Sequence, residues 1–196
     1  MSTGRVWLFR VLVLLAIGLL VFSWFQPWWL AHCISDVAGT HDVTVHPYGL
    51  DGGGLEGYFE LMPEGGAEVA MPGWFAPLMW IYLGLVIAAV LIGIIFLRKN
   101  VTLFGRELNL SRWLIGVAGF SYLLVTVLAI TVAYIRVGGM DLPFIGNDWV
   151  NLGHFGMWTI ELDVTASIPY GFYLAVASGP ILIALAVFRN KILGKS

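Results

Sequence analysis

The side chains best suited to chemistry are four histidines, His32, His41, His46 and His154, together with Asp42. Imidazole nitrogens and carboxylate oxygens are ligands that zinc and copper accept. His41 and His46 are five residues apart, which places them on opposite faces of a regular strand. Their spacing matches no established metal-binding motif. We therefore predict no cofactor, and we keep a copper or zinc site built from these five residues as an alternative.

The sequence carries no signature of covalent or redox catalysis. No serine lies in a nucleophile motif, and there is no phosphate-binding loop or dinucleotide fingerprint. Cys33 is the single cysteine, so the chain has no partner for an internal disulfide. These observations predict a protein that is not an enzyme.

The elements that must position these residues follow from an unusually apolar composition. Apolar residues make up 59% of the 196 residues and charged residues only 11%, and the mean hydropathy is +0.88. A soluble domain carries about 25% charged residues. A helix that crosses a bilayer needs roughly 20 apolar residues. Four stretches without a charged residue or histidine meet that need, at 11–29, 75–97, 113–135 and 168–188. We predict an integral membrane protein, mainly α-helical, with a four-helix transmembrane bundle.

The charges outside these stretches separate by sign. Segments 1–10, 98–112 and 189–196 hold nine Lys or Arg and one Glu. Segments 30–74 and 136–167 hold eleven Asp or Glu and one Arg. Because basic loops stay in the cytoplasm, both termini are predicted to be cytoplasmic. The predicted location is the cell membrane, with lipid as a partner and no nucleic acid.

The chain then divides into nine predicted segments. They are a cytoplasmic N-terminus (1–10), a first span (11–29), a first outer loop (30–74), a second span (75–97), an inner loop (98–112), a third span (113–135), a second outer loop (136–167), a fourth span (168–188) and a cytoplasmic tail (189–196). Ser111 is the predicted N-cap of the third span.

The two outer loops carry strand patterns. The sequence predicts a strand over residues 42–50 that breaks near Pro47. It predicts a turn at Asp51–Gly54 and a returning strand over 55–61. Residues 158–165 alternate strictly between apolar and polar types, which is typical of a half-buried strand. An isolated strand cannot satisfy its backbone groups, so the loops are expected to pair. We predict a small antiparallel β-sheet built from the two extracytoplasmic loops, with a hairpin from the first and one strand from the second.

Five further residues are predicted to have structural or interaction roles. Trp28, Trp29, Trp149 and Trp158 fall at or beyond the outer boundary, where indole rings favour the headgroup region or pack within an outer domain. Arg136 is the outer cation at the end of the third span, and the helix dipole favours it there. Its predicted partner is Asp141, Asp148 or Glu161.

This arrangement resembles the tetraspan group of claudins and peripheral myelin protein 22. The likeness is one of topology: four spans, cytoplasmic termini, a long strand-rich first loop and a shorter second loop with one strand. Claudins carry Gly-Leu-Trp and two loop cysteines, whereas this chain has Trp28, Trp29 and only Cys33. Residue roles therefore do not carry over. The resemblance implies the fold and a role in contacts.

Three functions remain open from the sequence. The first is a non-catalytic membrane protein that makes protein–protein contacts through its outer sheet, as an accessory or assembly subunit or by self-association. The second is an accessory subunit of a membrane redox or monooxygenase complex with outer His and Asp groups handling a metal. The third is a transporter or channel component, which the absence of charge within the spans disfavours.

Overall fold

The computed structural model describes residues 3–36, 39–55, 71–97, 99–103, 106–139, 142–155 and 158–194. Within these ranges four helices and seven strands follow one another along the chain. In order they are α1 (Thr3–Phe25), β1 (Trp29–Ser35), β2 (Gly39–His46), β3 (Gly49–Asp51), α2 (Phe75–Ile95), β4 (Asn100–Leu103), β5 (Arg106–Asn109), α3 (Leu110–Gly138), β6 (Gly146–Phe155), β7 (Trp158–Ser167) and α4 (Tyr170–Leu193).

All four helices are long and apolar enough to cross a membrane. Together with a small antiparallel sheet, they confirm the predicted combination of elements. The helices extend past the apolar stretches of the sequence: α1 already begins at Thr3, and α3 runs for 29 residues to Gly138. The added turns hold arginines such as Arg5 and Arg112, which are good helix formers.

Contacts divide the chain into two compact units. The first comprises Met1–Trp24, Trp80–Val127 and Tyr173–Ser196. The second comprises Phe25–Met79 and Leu128–Phe172. The first unit is helical apart from the β4–β5 hairpin, and the second contains the five-stranded sheet.

In the first unit, α3 and α4 approach each other through two glycines. A Cβ added at Gly119 would lie 2.8 Å from the Gly179 carbonyl oxygen and 2.8 Å from the Leu182 Cβ. A Cβ added at Gly179 would lie 2.8 Å from the Leu123 Cβ and 2.9 Å from the Gly119 carbonyl oxygen. Small residues allow such close backbone contact between apolar helices. Among the α3–α4 contacts described here, the two backbones therefore approach each other most closely at Gly119 and Gly179.

Hydroxyl groups in the first unit bond mainly to helix backbone. Ser121 donates to the Ala118 carbonyl at 3.0 Å, Thr126 to the Tyr122 carbonyl at 2.8 Å, and Ser178 to the Leu174 carbonyl at 2.7 Å. Other hydroxyls link two helices: the Ser23 and Tyr122 hydroxyl oxygens lie 2.9 Å apart, and the Tyr82 hydroxyl donates to the Ser121 hydroxyl oxygen at 3.3 Å. These bonds satisfy polar groups that would otherwise be costly to bury.

The second unit is organised by an antiparallel sheet with the order β3-β2-β1-β7-β6. The central strand β1 pairs with β2 on one side, where His32 faces Asp42 in register. On its other side β1 pairs with β7, where His32 faces Thr165. Strand β6 pairs with β7 along most of its length, with an irregularity between Asn151 and His154. The sheet thus joins the two segments that flank α2 and α3 in sequence.

One face of this sheet is buried. Alternate residues of β1, β2, β7 and β6 are nearly inaccessible, namely Ala31, Cys33, Val43, Val45, Leu162, Val164, Ala166 and Val150. They pack in one cluster with Ala133 and Val137 from the last turns of α3, and with Trp29, Leu55 and Leu142. Burial of this apolar surface is the main stabilising term for the sheet.

Several local predictions differ from the structure. Residues 146–167 form two strands instead of one, and β1 lies where the first outer loop was expected to begin. The predicted strand break near Pro47 is the turn between β2 and the short β3, while 56–61 of the predicted returning strand lie outside the described residues. Within the segment 98–112, which was predicted to be an inner loop, Asn100–Leu103 and Arg106–Asn109 pair as the antiparallel strands β4 and β5.

The predicted N-cap of α3 is wrong by two residues. The helix begins at Leu110, and the Asn109 side-chain oxygen accepts a hydrogen bond from the Arg112 backbone N–H at 3.2 Å. That geometry makes Asn109 the capping residue. The Ser111 side chain lies inside the first turn and is fully buried, and its oxygen has no hydrogen-bond partner among the described residues.

Candidate contact face of the five-stranded sheet

The side of the sheet opposite the core is the candidate functional site. We call it the contact face and define it by six residues on three inner strands and one edge strand: His32 and Ile34 on β1, Asp42 on β2, Trp149 on β6, and Asp163 and Thr165 on β7. Each alternates with a buried neighbour, as the two-residue period of a strand requires. The face is therefore set by the same pattern that builds the core.

Two apolar side chains on this face stand in one row across three strands. Asp163 is in register with Ile34 on one side and with Trp149 on the other. Ile34 is 46% exposed and Trp149 is 71% exposed. Side chains in register across neighbouring strands lie close enough to interact. The row therefore brings an indole, a carboxylate and a branched aliphatic chain together on one face of the sheet.

The adjacent row holds a hydrogen-bonded histidine–aspartate pair. The His32 Nδ1 atom lies 2.6 Å from the Asp42 Oδ1 atom, and the two side chains are 46% and 60% exposed. Thr165 faces His32 from β7, and Asn147 faces Thr165 from β6. A histidine–carboxylate pair this exposed contributes at most about 1 kcal/mol to stability. Because the His32–Asp42 pair lies beside the row that contains Ile34 and Trp149, it adds polar groups to the rim of the contact face.

His41 lies on the other side of β2 from Asp42 and anchors a turn. Its Nδ1 atom is 2.7 Å from the Gly53 carbonyl oxygen, which accepts the hydrogen bond. Gly53 has a φ of 60°, and a Cβ there would collide with the Asp42 carbonyl oxygen. Only glycine fits that approach. The hydrogen bond from His41 therefore holds residues 52–54 against β2.

His46 shares the Asp42 side of β2 but is partly enclosed. Its ring stacks on Tyr48, with centroids 5.1 Å apart and planes at 16°. Its Nδ1 atom is buried without a hydrogen-bond partner among the described residues. Burial lowers the pKa of His46, against smaller raising effects from the Gln26 backbone and the charge of Asp51. The neutral ring is thus the form that the folded protein favours.

This depressed pKa gives a pH dependence of stability. Between the folded and unfolded pKa values the unfolded chain binds the extra proton, so stability falls as pH drops below about 6.5. We expect wild-type protein to lose unfolding free energy between about pH 7.5 and pH 5.5, and His46→Gln to lose less of it. Chemical unfolding at several pH values measures both slopes. Equal slopes in the two proteins would contradict the assignment.

No single cluster gathers the four candidate metal ligands whose side chains the structure describes, which are His32, His41, Asp42 and His46. His32 and Asp42 are paired, His41 bonds to a backbone carbonyl on the opposite side of β2, and His46 stacks on Tyr48. His154 lies in β6 opposite Thr159. Among the described residues no group of three His, Cys, Asp or Glu side chains is arranged to hold a metal ion. The closest approach to a site is therefore the His32–Asp42 pair, which offers two ligands.

Two of the predicted interaction tryptophans are core residues. Trp28 and Trp29 are 1% and 0% exposed. The Trp29 indole N–H donates to the Phe144 carbonyl at 2.7 Å, and the two rings stack with centroids 6.4 Å apart. The Trp28 ring packs edge-on against Phe172 at 6.4 Å. Their role is structural, and they are absent from any outward surface.

The remaining residues with predicted structural or interaction roles are Trp149, Trp158 and Arg136. Trp149 stands on the contact face, as described above. Trp158 begins β7 opposite Phe155. Arg136 is partly buried and lies in the last turn of α3, where a helix dipole favours a cation. Its candidate partner Asp141 lies outside the described residues.

Cys33 faces the core and is fully buried. Burial, with a smaller contribution from the charge of Asp42, raises the pKa of its thiol to about 11. The thiolate is the reactive form of cysteine. Cys33 is therefore an inert packing residue rather than a nucleophile or a site of intermolecular bridging.

The outer edge of β6 is modified against further strand pairing. Strand β6 is the last strand in the sheet order. The Asp148 side-chain oxygen accepts a hydrogen bond from the Trp149 backbone N–H at 2.8 Å, and the ladder is irregular between Asn151 and His154. Edge charges and irregularities are devices that limit edge-to-edge association. These two features therefore disfavour the pairing of a further strand along this edge.

The sequence alone did not identify Ile34, Asp163 and Thr165 as members of the contact face. The available signal for Asp163 and Thr165 was the strict alternation at 158–165, which puts them opposite the apolar side chains of a strand. Residues 29–35 carry apolar types on both faces and gave no comparable signal for Ile34. No protein-family model matches the chain, and no curated protein matches it.

Proposed function

We propose that this chain is a non-catalytic, multi-pass membrane protein that binds another membrane protein subunit through its contact face. The observation that carries the proposal is the row Ile34–Asp163–Trp149, with a tryptophan 71% exposed on a sheet whose other face is a packed core. Tryptophan is enriched among residues that dominate binding energy. A rigid sheet holds such a residue in place before binding, so little ordering entropy is lost.

The membrane part of the proposal is supported by the four long apolar helices and by the separation of charge along the sequence. Basic segments flank one end of each predicted span, and acidic segments flank the other. This distribution supports a topology with both termini in the cytoplasm and the five-stranded sheet on the extracytoplasmic side. The contact face then meets partners outside the cytoplasm, as the topological resemblance to claudins also implies.

A cysteine at position 165 tests the side of the membrane and the contact together. Thr165 is an exposed member of the contact face, and Cys33 is buried and does not compete for reagent. On intact cells of the native host, Thr165→Cys should resist a membrane-impermeant maleimide while a partner covers the face. Adding Trp149→Ser should raise labelling by roughly tenfold, because loss of one dominant contact residue weakens binding by that order.

Two controls make this result specific. Trp74 is 63% exposed outside the sheet, so Trp74→Ser removes a comparable indole and should leave Thr165→Cys protected. Lys191→Cys, near the end of α4, should label only after the membrane is permeabilised. Full labelling of Thr165→Cys in otherwise wild-type protein would show that no partner covers the face. Labelling of Lys191→Cys on intact cells would show that the orientation is wrong.

A further inference from the structure

A groove in the first unit combines polar and apolar walls. It has a volume of about 590 Å³ and runs between the β4–β5 hairpin, the first turns of α3 and the last turns of α4. Because α3 starts where α4 ends, the polar residues of both helices meet at one end of the groove. Those at the polar end are Asn100, Glu107, Asn109, Arg112 and Asn190. A cavity of this kind suits a ligand with one polar and one apolar part.

Hydrogen bonds within the protein hold the amide side chains at the polar end in place. Asn109 donates through its side-chain NH₂ to the Asn100 side-chain oxygen at 3.1 Å. The Asn190 oxygen accepts from Arg189 Nη1 at 2.9 Å. That bond leaves the Asn190 NH₂ as the group available to a ligand. Since the Asn109 oxygen already caps α3, the helix N-terminus itself is not the binding element.

The charged residues near the polar end favour a ligand that carries an anionic group with a cationic group close to it. Arg189 is only 1% exposed; it donates to the Leu97 carbonyl, and its Nε has no hydrogen-bond partner among the described residues. The charges of Arg189 and Arg112 act on each other, so two guanidinium groups share this region. A phosphate would relieve that repulsion, and arginine is well suited to bind phosphate. Glu107, exposed on β5, offers a carboxylate to an ammonium group.

The groove becomes apolar as it continues along the helices. Its walls there are Trp113 and Val117 of α3 and Ile183 and Val187 of α4. Trp113, Val117 and Val187 are 49%, 46% and 51% exposed. Gly116 and Ala186 lie at its base, where a Cβ at Gly116 would be 3.5 Å from the Ala186 Cβ. An acyl chain fits this exposed apolar channel, and Trp113 sits where tryptophan favours the membrane interface.

We propose that this groove binds one phosphatidylethanolamine molecule, with its phosphate against Arg112 and Asn190, its ammonium group near Glu107 and an acyl chain along Trp113 and Val187. The inference rests on the proposed insertion of the helices in a membrane. Basic pockets between membrane helices on the cytoplasmic side bind the phosphate groups of anionic lipids, and this groove adds a carboxylate to the arginine that such pockets contain. The carboxylate of Glu107 is what selects an amine headgroup over phosphatidylglycerol, whose headgroup carries no cation.

Native mass spectrometry of the full chain in mild detergent, with added lipid, tests the assignment. We expect phosphatidylethanolamine to bind about tenfold more tightly than phosphatidylglycerol or phosphatidylcholine, whose methylated amine cannot donate hydrogen bonds. Arg112→Gln should weaken all three lipids by roughly tenfold, because it removes the exposed phosphate ligand. Glu107→Gln should remove only the preference for phosphatidylethanolamine. Arg10→Gln makes the same charge change at an exposed residue that does not line the groove, and should have no effect.

The outcomes separate this inference from the proposed function. Equal binding of the three lipids, a preference for phosphatidylglycerol, or equal effects of Arg112→Gln and Arg10→Gln would each overturn the lipid site. Alkaline extraction of reconstituted vesicles provides the second readout. If the protein stays in the vesicles but shows no lipid preference, the membrane proposal stands and the proposed lipid site in the groove is wrong. If the protein is extracted, both proposals are wrong.

Discussion

Replacing Gly179 by valine is expected to lower the free energy of unfolding by about 2–3 kcal/mol, the upper range for overpacking a close contact. The first added carbon would already lie 2.8 Å from the Leu123 Cβ and 2.9 Å from the Gly119 carbonyl oxygen. A backbone oxygen cannot rotate out of the way as a flexible side chain can. The α3–α4 contact must therefore open, and the packing around Leu182 is lost with it.

Gly84→Val is the matched control for this substitution. Gly84 also lies within a helix, α2, and a Cβ there meets no atom within 4 Å. Both variants carry the same cost in helix propensity, so the difference between them isolates the helix contact. Thermal or steric-trapping measurements of the detergent-solubilised protein give the two free energies. Equal destabilisation of both variants would mean that α3 and α4 do not meet at Gly179.

Trp29→Ala is expected to cost about 3–5 kcal/mol, the range for deleting a fully buried aromatic side chain. Trp29 is 0% exposed at the start of the central strand β1. Its ring stacks on Phe144, and its N–H satisfies the Phe144 carbonyl. The substitution thus leaves a cavity beneath the sheet and an unpaired carbonyl beside it. Cooperative loss of the sheet should follow at a lower denaturant concentration.

Two further variants divide this effect into its parts. Trp29→Phe keeps a ring in the core but removes the donor, so a smaller loss of about 1–3 kcal/mol is expected from the unsatisfied carbonyl. Trp149→Ala removes an indole that is 71% exposed and should change stability by less than about 0.5 kcal/mol. Urea unfolding followed by tryptophan fluorescence measures all three. A cost for Trp149→Ala as large as that for Trp29→Ala would contradict the separation of core and contact face.

The elements that could be predicted from the sequence are those with a strong and sustained pattern. Long uncharged apolar stretches predicted four helices, and the helices are present. Eight residues of strict alternation at 158–165 predicted a strand, which is β7. In both cases hydropathy alone sets which face must be buried, so no knowledge of neighbouring elements is required.

The elements that were missed depend on partners that are distant in sequence. Strand β1 directly follows α1, and its inward residues Ala31 and Cys33 are small, so its alternation is weak. Strand β6 is rich in glycine and asparagine and is a strand because β7 pairs with it. Asn109 caps α3 because the β4–β5 hairpin ends there, whereas position alone favoured Ser111.

The candidate contact face was only partly predictable for the same reason. Exposed tryptophan was expected, but four tryptophans were equal candidates until burial separated Trp28 and Trp29 from Trp149. The neighbours Ile34 and Asp163 enter the face through register, and register follows from which strands are adjacent. The topological resemblance to claudins supplied no residue of the face and stays a prediction.

The order of the strands also determines when the sheet is completed during translation. Strand β1 leaves the ribosome early, and β2 follows closely enough to pair with it. Its second neighbour is β7, whose Ser167 faces Leu30 and is made only after α2 and α3. Until then one edge of β1 is open, and open edges invite pairing with other chains. Nascent chains that stop before β7 are consequently the species most exposed to aggregation and most in need of a chaperone.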